Sequence, residues 1–360
     1  MSLRTLRRQA GRLAIVGFTG QTVPVELRDL ASTFDLGGVI YFARNVVEPR
    51  QVAELSREVA DLAGEWPFWI SVDQEGGRVA RFRAPFTTWP PAITLGRSGD
   101  DALVARFGAA LAAEVRAVGV NLDYVPVLDV NSNPDNPVIG DRALSEQAED
   151  VARLGAILIE ALQGAGVTAC GKHFPGHGDT TVDSHEALPI VEHDRRRLDA
   201  VELVPFRRAI AAGVGTIMTA HVLVPPIDEA HPASLSPAIV TRLLKQELGF
   251  DGVVISDDLG MKAVSASMPL GEATVGAIAA GCDVVLLCNS TTDEQVAAIE
   301  DVIRAAEQGR ITPARFDDAL ARQHRVKSRL LASGGAAAPD LGVIGCEAHQ
   351  AIAREMAAWQ

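Results

Sequence analysis

The sequence predicts an α/β chain folded as a single (β/α)8, TIM-type barrel with a C-terminal helical tail. Three observations carry this. Eight short, β-branched apolar runs recur along the chain, each bounded by turn residues, as strands buried on both faces should be. Segments of helical periodicity lie between them. Clusters of polar residues fall just after the strands, never before them, and in a barrel those points share one rim.

The strand runs are 13–17, 38–42, 68–72, 121–125, 168–172, 215–219, 252–256 and 283–288. Residues 101–118, 146–164 and 237–248 read as helices, and Gly166, Gly213, Gly249 and Gly281 stand where left-handed helix caps are expected. An open doubly wound sheet is the alternative, but no GxGxxG turn follows a first strand. From Pro313 a helix is expected to about residue 333. The barrel domain is therefore taken as 1–333, and 334–360 as a Gly/Ala-rich joint with a helical tail.

The chain has 360 residues, 48 % of them hydrophobic and 22 % charged, enough for one deep core. A net charge of -13 disfavours nucleic acid as a partner, because phosphates would be repelled. Cys170, Cys282, Cys288 and Cys346 form no CxxC pair, and three lie in or beside apolar runs; buried free thiols in a reducing compartment are expected. Arg7-Arg8 precedes an apolar run too short for an export signal, and no stretch is long enough to span a bilayer. A cytoplasmic protein without membrane contact is the expectation.

The densest chemistry lies in residues 172–185, where Lys172, His173, His177, Asp179, Asp183 and His185 share one Gly/Pro-punctuated loop. A core could not absorb so many ionisable groups cheaply. Asp183 and His185 are two apart, so in an extended loop they point the same way, and the carboxylate can fix the imidazole's tautomer for proton transfer. Lys172 and His173 at a strand end can hold sugar hydroxyls; alternatively His173 packs under the loop. His177, between two glycines, reads as a loop organiser, and Gly176 and Gly178 as hinges for loop closure. Asp73-Gln74-Glu75-Gly76-Gly77-Arg78 is a second dense rim turn suited to hydroxyl recognition. Asp257-Asp258 ends the seventh run. Neighbours on a strand face opposite ways, so one carboxylate faces the axis and the other caps the turn; Asp257 is assigned to the axis, with both as caps the alternative. His177, His185 and His221 match no short zinc motif, and neither metal nor organic cofactor is expected.

These residues resemble the β-N-acetylhexosaminidase branch (NagZ type) of glycoside hydrolase family 3. The resemblance runs from about Ala14 to about Leu330 and rests on the 72–79 turn, 121–130, 172–185, 218–222 and 255–261. Gly260, where a serine is common, is a minor departure. The resemblance implies Asp257 as nucleophile, His185 as general acid/base with Asp183 as its partner, and Asp73, Arg81, Arg142, Lys172 and His173 as substrate-binding residues. It implies retaining hydrolysis of a terminal β-linked N-acetylglucosaminyl residue through a glycosyl-aspartate. The substrate would be a small carbohydrate, N-acetylglucosamine joined to 1,6-anhydro-N-acetylmuramic acid, in peptidoglycan recycling. The alternatives are a phosphorylase or broader exo-β-glycosidase of the same family, a non-catalytic sugar-binding protein, or a metal-dependent barrel hydrolase.

Overall fold

The computed structural model describes residues 2–331 and 340–360. Eight parallel strands close into a barrel: β1 (Ala14–Gly17), β2 (Gly38–Tyr41), β3 (Trp69–Val72), β4 (Leu122–Asp123), β5 (Thr168–Phe174), β6 (Thr216–Thr219), β7 (Val253–Asp258) and β8 (Val284–Leu287). Each pairs with its sequence neighbours, and β8 closes on β1 through Ala14 and Val285. Helices cover the outside, among them Asp101–Ala117, Ala148–Gly164, Leu270–Ala280 and Thr292–Glu307. The expected barrel is therefore observed. Gly166, Gly213, Gly249 and Gly281 all have positive φ, as the cap positions require.

Two strands differ from the sequence expectation. β4 is only two residues long, because Pro126 has no N–H to donate and the regular ladder stops before it. Its carbonyl still accepts from Lys172 N at 3.1 Å, and Val127 bridges Lys172. β5 runs two residues further than expected, to Phe174, through a register shift between Gly171 and Phe174. The strand therefore takes in His173 and Phe174 beyond Lys172, where the sequence ended it.

Alternation sets the two core layers. Ile15, Ile40, Trp69, Leu122, Cys170, Val253, Ile255, Val284 and Leu286 pack inside the barrel. Their neighbours Val16, Val39, Ile70, Val254 and Val285 pack outward against the helices. Full burial of each such Val, Leu or Ile is worth about 1.5–3 kcal/mol, so the period of two is strongly enforced. Cys170, Cys282 and Cys288 are buried free thiols; Cys346 is half-buried.

Lys327, on helix Pro313–Leu330, closes the bottom of the barrel. Its Nζ donates to Pro67 O at 2.7 Å and lies 4.9 Å from the centre of the Trp69 ring. Burial, aided by the Arg12 charge, pushes its pKa from 10.5 down to about 7. The unfolded chain thus binds one more proton than the folded chain between pH 7 and 10.5, and folding is penalised fully below that window and not above it. Lys327→Met should therefore gain on the wild type at pH 7 relative to pH 10. Denaturant titrations at both pH values check this; an equal difference at the two would refute it.

Beyond the barrel, helix Glu347–Ala357 packs on Asp101–Ala117, where His349 Nδ1 meets Glu114 Oε1 at 2.9 Å and Arg106 pairs with Glu355. The joint expected at 334–338 lies outside the described residues. Among the described residues no helix is long and apolar enough to cross a membrane.

Candidate active site

Val253 and Ile255 pack inside the barrel, the register shifts between Ile255 and Asp258, and beyond that irregularity the two carboxylates at the end of β7 differ in burial and partners. Asp258 is buried and committed. Its Oδ1 accepts from Cys288 N at 2.9 Å and Gly260 N at 3.2 Å, and its Oδ2 from Asn289 Nδ2 at 3.0 Å. Burial pushes this carboxyl above its ordinary range despite those donors, and the neighbouring Asp257 charge adds to the effect. Asp257 is half-buried, and its Oδ1 accepts from the next backbone N–H, Asp258 N, at 2.8 Å. Its Oδ2 has no protein partner among the described residues.

A network of charges is built around the buried Glu75 and Lys172. Lys172, on β5, donates from Nζ to Asp73 Oδ1 at 2.9 Å and contacts Glu75 Oε1 at 2.6 Å. Arg142 grips Glu75 with two parallel bonds, Nε to Oε2 at 2.9 Å and Nη2 to Oε1 at 2.8 Å. Arg81 reaches Asp73 Oδ2 at 3.3 Å and lies over the Phe42 ring, whose other cationic neighbour is Arg44. Burial alone would raise the Glu75 and Asp73 carboxyls. The Arg142 and Lys172 charges hold Glu75 far below its usual range, and Lys172 and Arg81 hold Asp73 below its own. The same carboxylates outweigh burial at Lys172 and keep it a firm cation. Such a rigid set of charges and donors suits a polyol fixed in one orientation.

Asp129, fully buried past β4, organises the histidines. Its Oδ2 accepts from His173 N and meets His173 Nδ1 at 2.7 Å; its Oδ1 accepts from His177 N at 2.6 Å. His173 Nε2 is left without a protein partner among the described residues. Gly178 packs so close that a Cβ there would lie 1.8 Å from Val130 O, so packing demands a glycine at that point of the loop. Further along, His185 Nδ1 lies 2.8 Å from Asp183 Oδ1, and the His185 ring is 65 % exposed. Partial burial raises Asp183, but the His185 N–H and ring outweigh it and hold the carboxylate ionised. An imidazole oriented through Nδ1, with Nε2 free, can exchange a proton with a bound molecule.

The structure thus brings Asp73, Arg81, Arg142, Lys172 and His173 together around the mouth, and sets the Asp183–His185 pair on the loop above β5. His221 is used differently from the other rim histidines. Its ring bonds Ser234 Oγ at 2.7 Å and Asp258 O at 3.0 Å, bracing the end of β7. Three contributors went unassigned in the sequence: Glu75, Asp129 and Asp123. Asp123 Oδ1 accepts from Gln74 N, its Oδ2 is buried without a partner, and burial drives its pKa well up. A carboxylate inside an apolar strand run was the signal available for Asp123. Next to the mouth, the ends of β1 and β8 enclose a cavity of about 450 Å³ that Phe18, Arg44 and Asn289 help to line.

Comparison with known proteins places this geometry. The model of the glycosyl hydrolase family 3 N terminal domain matches residues 5–326. Beta-hexosaminidase A of Pseudoalteromonas piscicida is 34 % identical over 364 residues, which cover 93 % of this chain and 60 % of that protein. Beta-hexosaminidase of Thiobacillus denitrificans is 42 % identical over 276 residues, covering 74 % of this chain and 75 % of its own length. The solved structure of a glycoside hydrolase family 3 beta-N-acetylglucosaminidase from Paenibacillus sp. str. FPU-7 superposes with a TM-score of 0.94 at 42 % identity, over 100 % of this chain and 69 % of that one. The chain thus spans less than two thirds of the length of the Pseudoalteromonas relative.

Proposed function

The chain belongs to glycosyl hydrolase family 3, and from that membership we propose that it is a retaining exo-β-N-acetylglucosaminidase. The observation that carries the reading is the division between the paired aspartates. Asp258 spends both oxygens on the fold, whereas Asp257 keeps one free at the mouth. A carboxylate so placed attacks the anomeric carbon, and the C1–O bond to the leaving group breaks through an oxocarbenium-like transition state. His185 Nε2–H gives its proton to the departing oxygen. The imidazole then takes a proton from water, which cleaves the glycosyl ester and restores Asp257. Asp73, Arg81, Arg142, Lys172 and His173 hold the sugar hydroxyls during both steps.

The acetamido sugar is drawn from the relatives, whose names are hexosaminidases and whose solved counterpart is a beta-N-acetylglucosaminidase. The sequence resemblance extends this to cytoplasmic peptidoglycan recycling, with N-acetylglucosamine linked to 1,6-anhydro-N-acetylmuramic acid as substrate, with or without peptide. Purified protein should cleave an aryl N-acetylglucosaminide at least about 100-fold better than the aryl glucoside, as a site specific for the acetamido group would. Inorganic phosphate should leave the product as free N-acetylglucosamine. Equal rates on the two aryl sugars would mark a broader glycosidase, and accumulation of the sugar 1-phosphate a phosphorylase.

A further inference from the structure

Ser184 stands between Asp183 and His185 and is the one buried residue in 181–188. It is held from two sides. Its carbonyl accepts from Ala263 N at 3.2 Å, on the short helix that follows Asp257, and its Oγ lies 3.2 Å from His177 Nε2. Thr180 Oγ lies 2.6 Å from His177 Nδ1, so the ring is engaged at both nitrogens, by Thr180 on one side and Ser184 on the other. Burial, which pushes His177 down to about 4, keeps this imidazole neutral at working pH. His177 is itself fixed by Asp129 Oδ1 at its N–H and by Asn136 Nδ2 at its carbonyl.

We propose that His177 and Ser184 form a latch that positions the Asp183–His185 pair over the mouth: neither touches substrate, and both act through His185. The base of the loop is pinned separately, by Ser132 and His193 on Asp179 and by Asn133 on the Thr180 carbonyl. The latch ties the exposed acid/base segment to the floor that also bears His173, while the Ala263 N–H holds the Ser184 carbonyl from the other side. Releasing it leaves the loop attached but lets the imidazole drift, and misplacement by about 1 Å can cost up to about 100-fold in a proton-transfer step.

The proposal rests on His185 being the acid/base, so the test carries that variant alongside. Ser184→Ala should lower kcat/KM about 10–100-fold on N,N′-diacetylchitobiose, whose leaving group needs a proton, and by no more than about threefold on the 2,4-dinitrophenyl glycoside, whose leaving group does not. His177→Gln should show the same selective loss, and the double variant no further selectivity, as expected of two halves of one contact. A purely structural role would depress both substrates alike. Equal losses for Ser184→Ala on the two substrates, or none, would overturn the latch while His185→Ala still shows the selective pattern. Uniform loss in His185→Ala would instead overturn the acid/base assignment itself.

Discussion

Asp257→Ala should abolish turnover, lowering kcat by at least about 10⁴-fold on every leaving group, because removal of a covalent nucleophile leaves no easier route for the displacement. The expectation follows from what the carboxylate does not do in the fold. Among the described residues its carboxylate bonds only the adjacent backbone N–H, so its loss removes no long-range contact seen there, and the variant should melt close to the wild type. Asp258→Asn should behave in the opposite way. An amide there sets an NH2 against the N–H groups of Cys288 and Gly260 or against Asn289 Nδ2, costing about 1–3 kcal/mol of stability for the buried mispairing. Its activity should fall far less than that of Asp257→Ala. A fluorinated N-acetylglucosaminyl donor whose ester hydrolyses slowly should label the peptide that carries both residues, and fragmentation should place the sugar on Asp257. A label on Asp258 or Glu75, or wild-type turnover by Asp257→Ala, would remove the basis of the mechanism.

What the sequence made legible divides by range. The period of two along 252–258 needs only neighbouring residues, so different roles for Asp257 and Asp258 could be argued before any coordinates, but the register shift between Ile255 and Asp258 could not. The barrel itself follows from eight such local patterns. Lengths of individual strands were harder, since the early end of β4 and the extension of β5 depend on how Pro126 and the Gly171–Phe174 irregularity meet the adjacent strand. Long-range pairing was not legible at all. Lys172 and Asp73 are 99 positions apart, and Glu75 and Arg142 are 67 apart. Nothing in the turn that contains Glu75 says that its carboxylate is spent on two cations rather than on a ligand. His177 was readable as an organiser from its flanking glycines, but its partner Ser184 is defined only once the loop folds back.

Glu75 is the place where that hidden pairing should have its largest consequence. Its buried carboxylate holds the two parallel bonds from Arg142 and the short contact with Lys172, itself fully buried, so Glu75→Gln leaves Lys172 paired with Asp73 and Arg142 without a paired carboxylate among the described residues. Breaking a buried pair from one side costs about 3–5 kcal/mol, far more than the same change on the surface. The pH dependence supplies an independent signature. The cations hold the Glu75 pKa below its unfolded value, so its contribution is complete above about pH 4.3 and fades as the pH falls through the depressed folded pKa. The gap between wild type and Glu75→Gln in denaturant titrations should therefore be wide at pH 7 and narrow steadily below pH 4. Because Arg142 and Lys172 lose their common anchor, the KM for an aryl N-acetylglucosaminide should rise about tenfold or more, the response of uniform binding lost. A gap that stays constant with pH would mean that Glu75 acts through shape alone. An unchanged KM would mean that Lys172 and Arg142 hold their positions without it, and the charge network would then be a feature of the barrel's stability and not of its grip on the sugar.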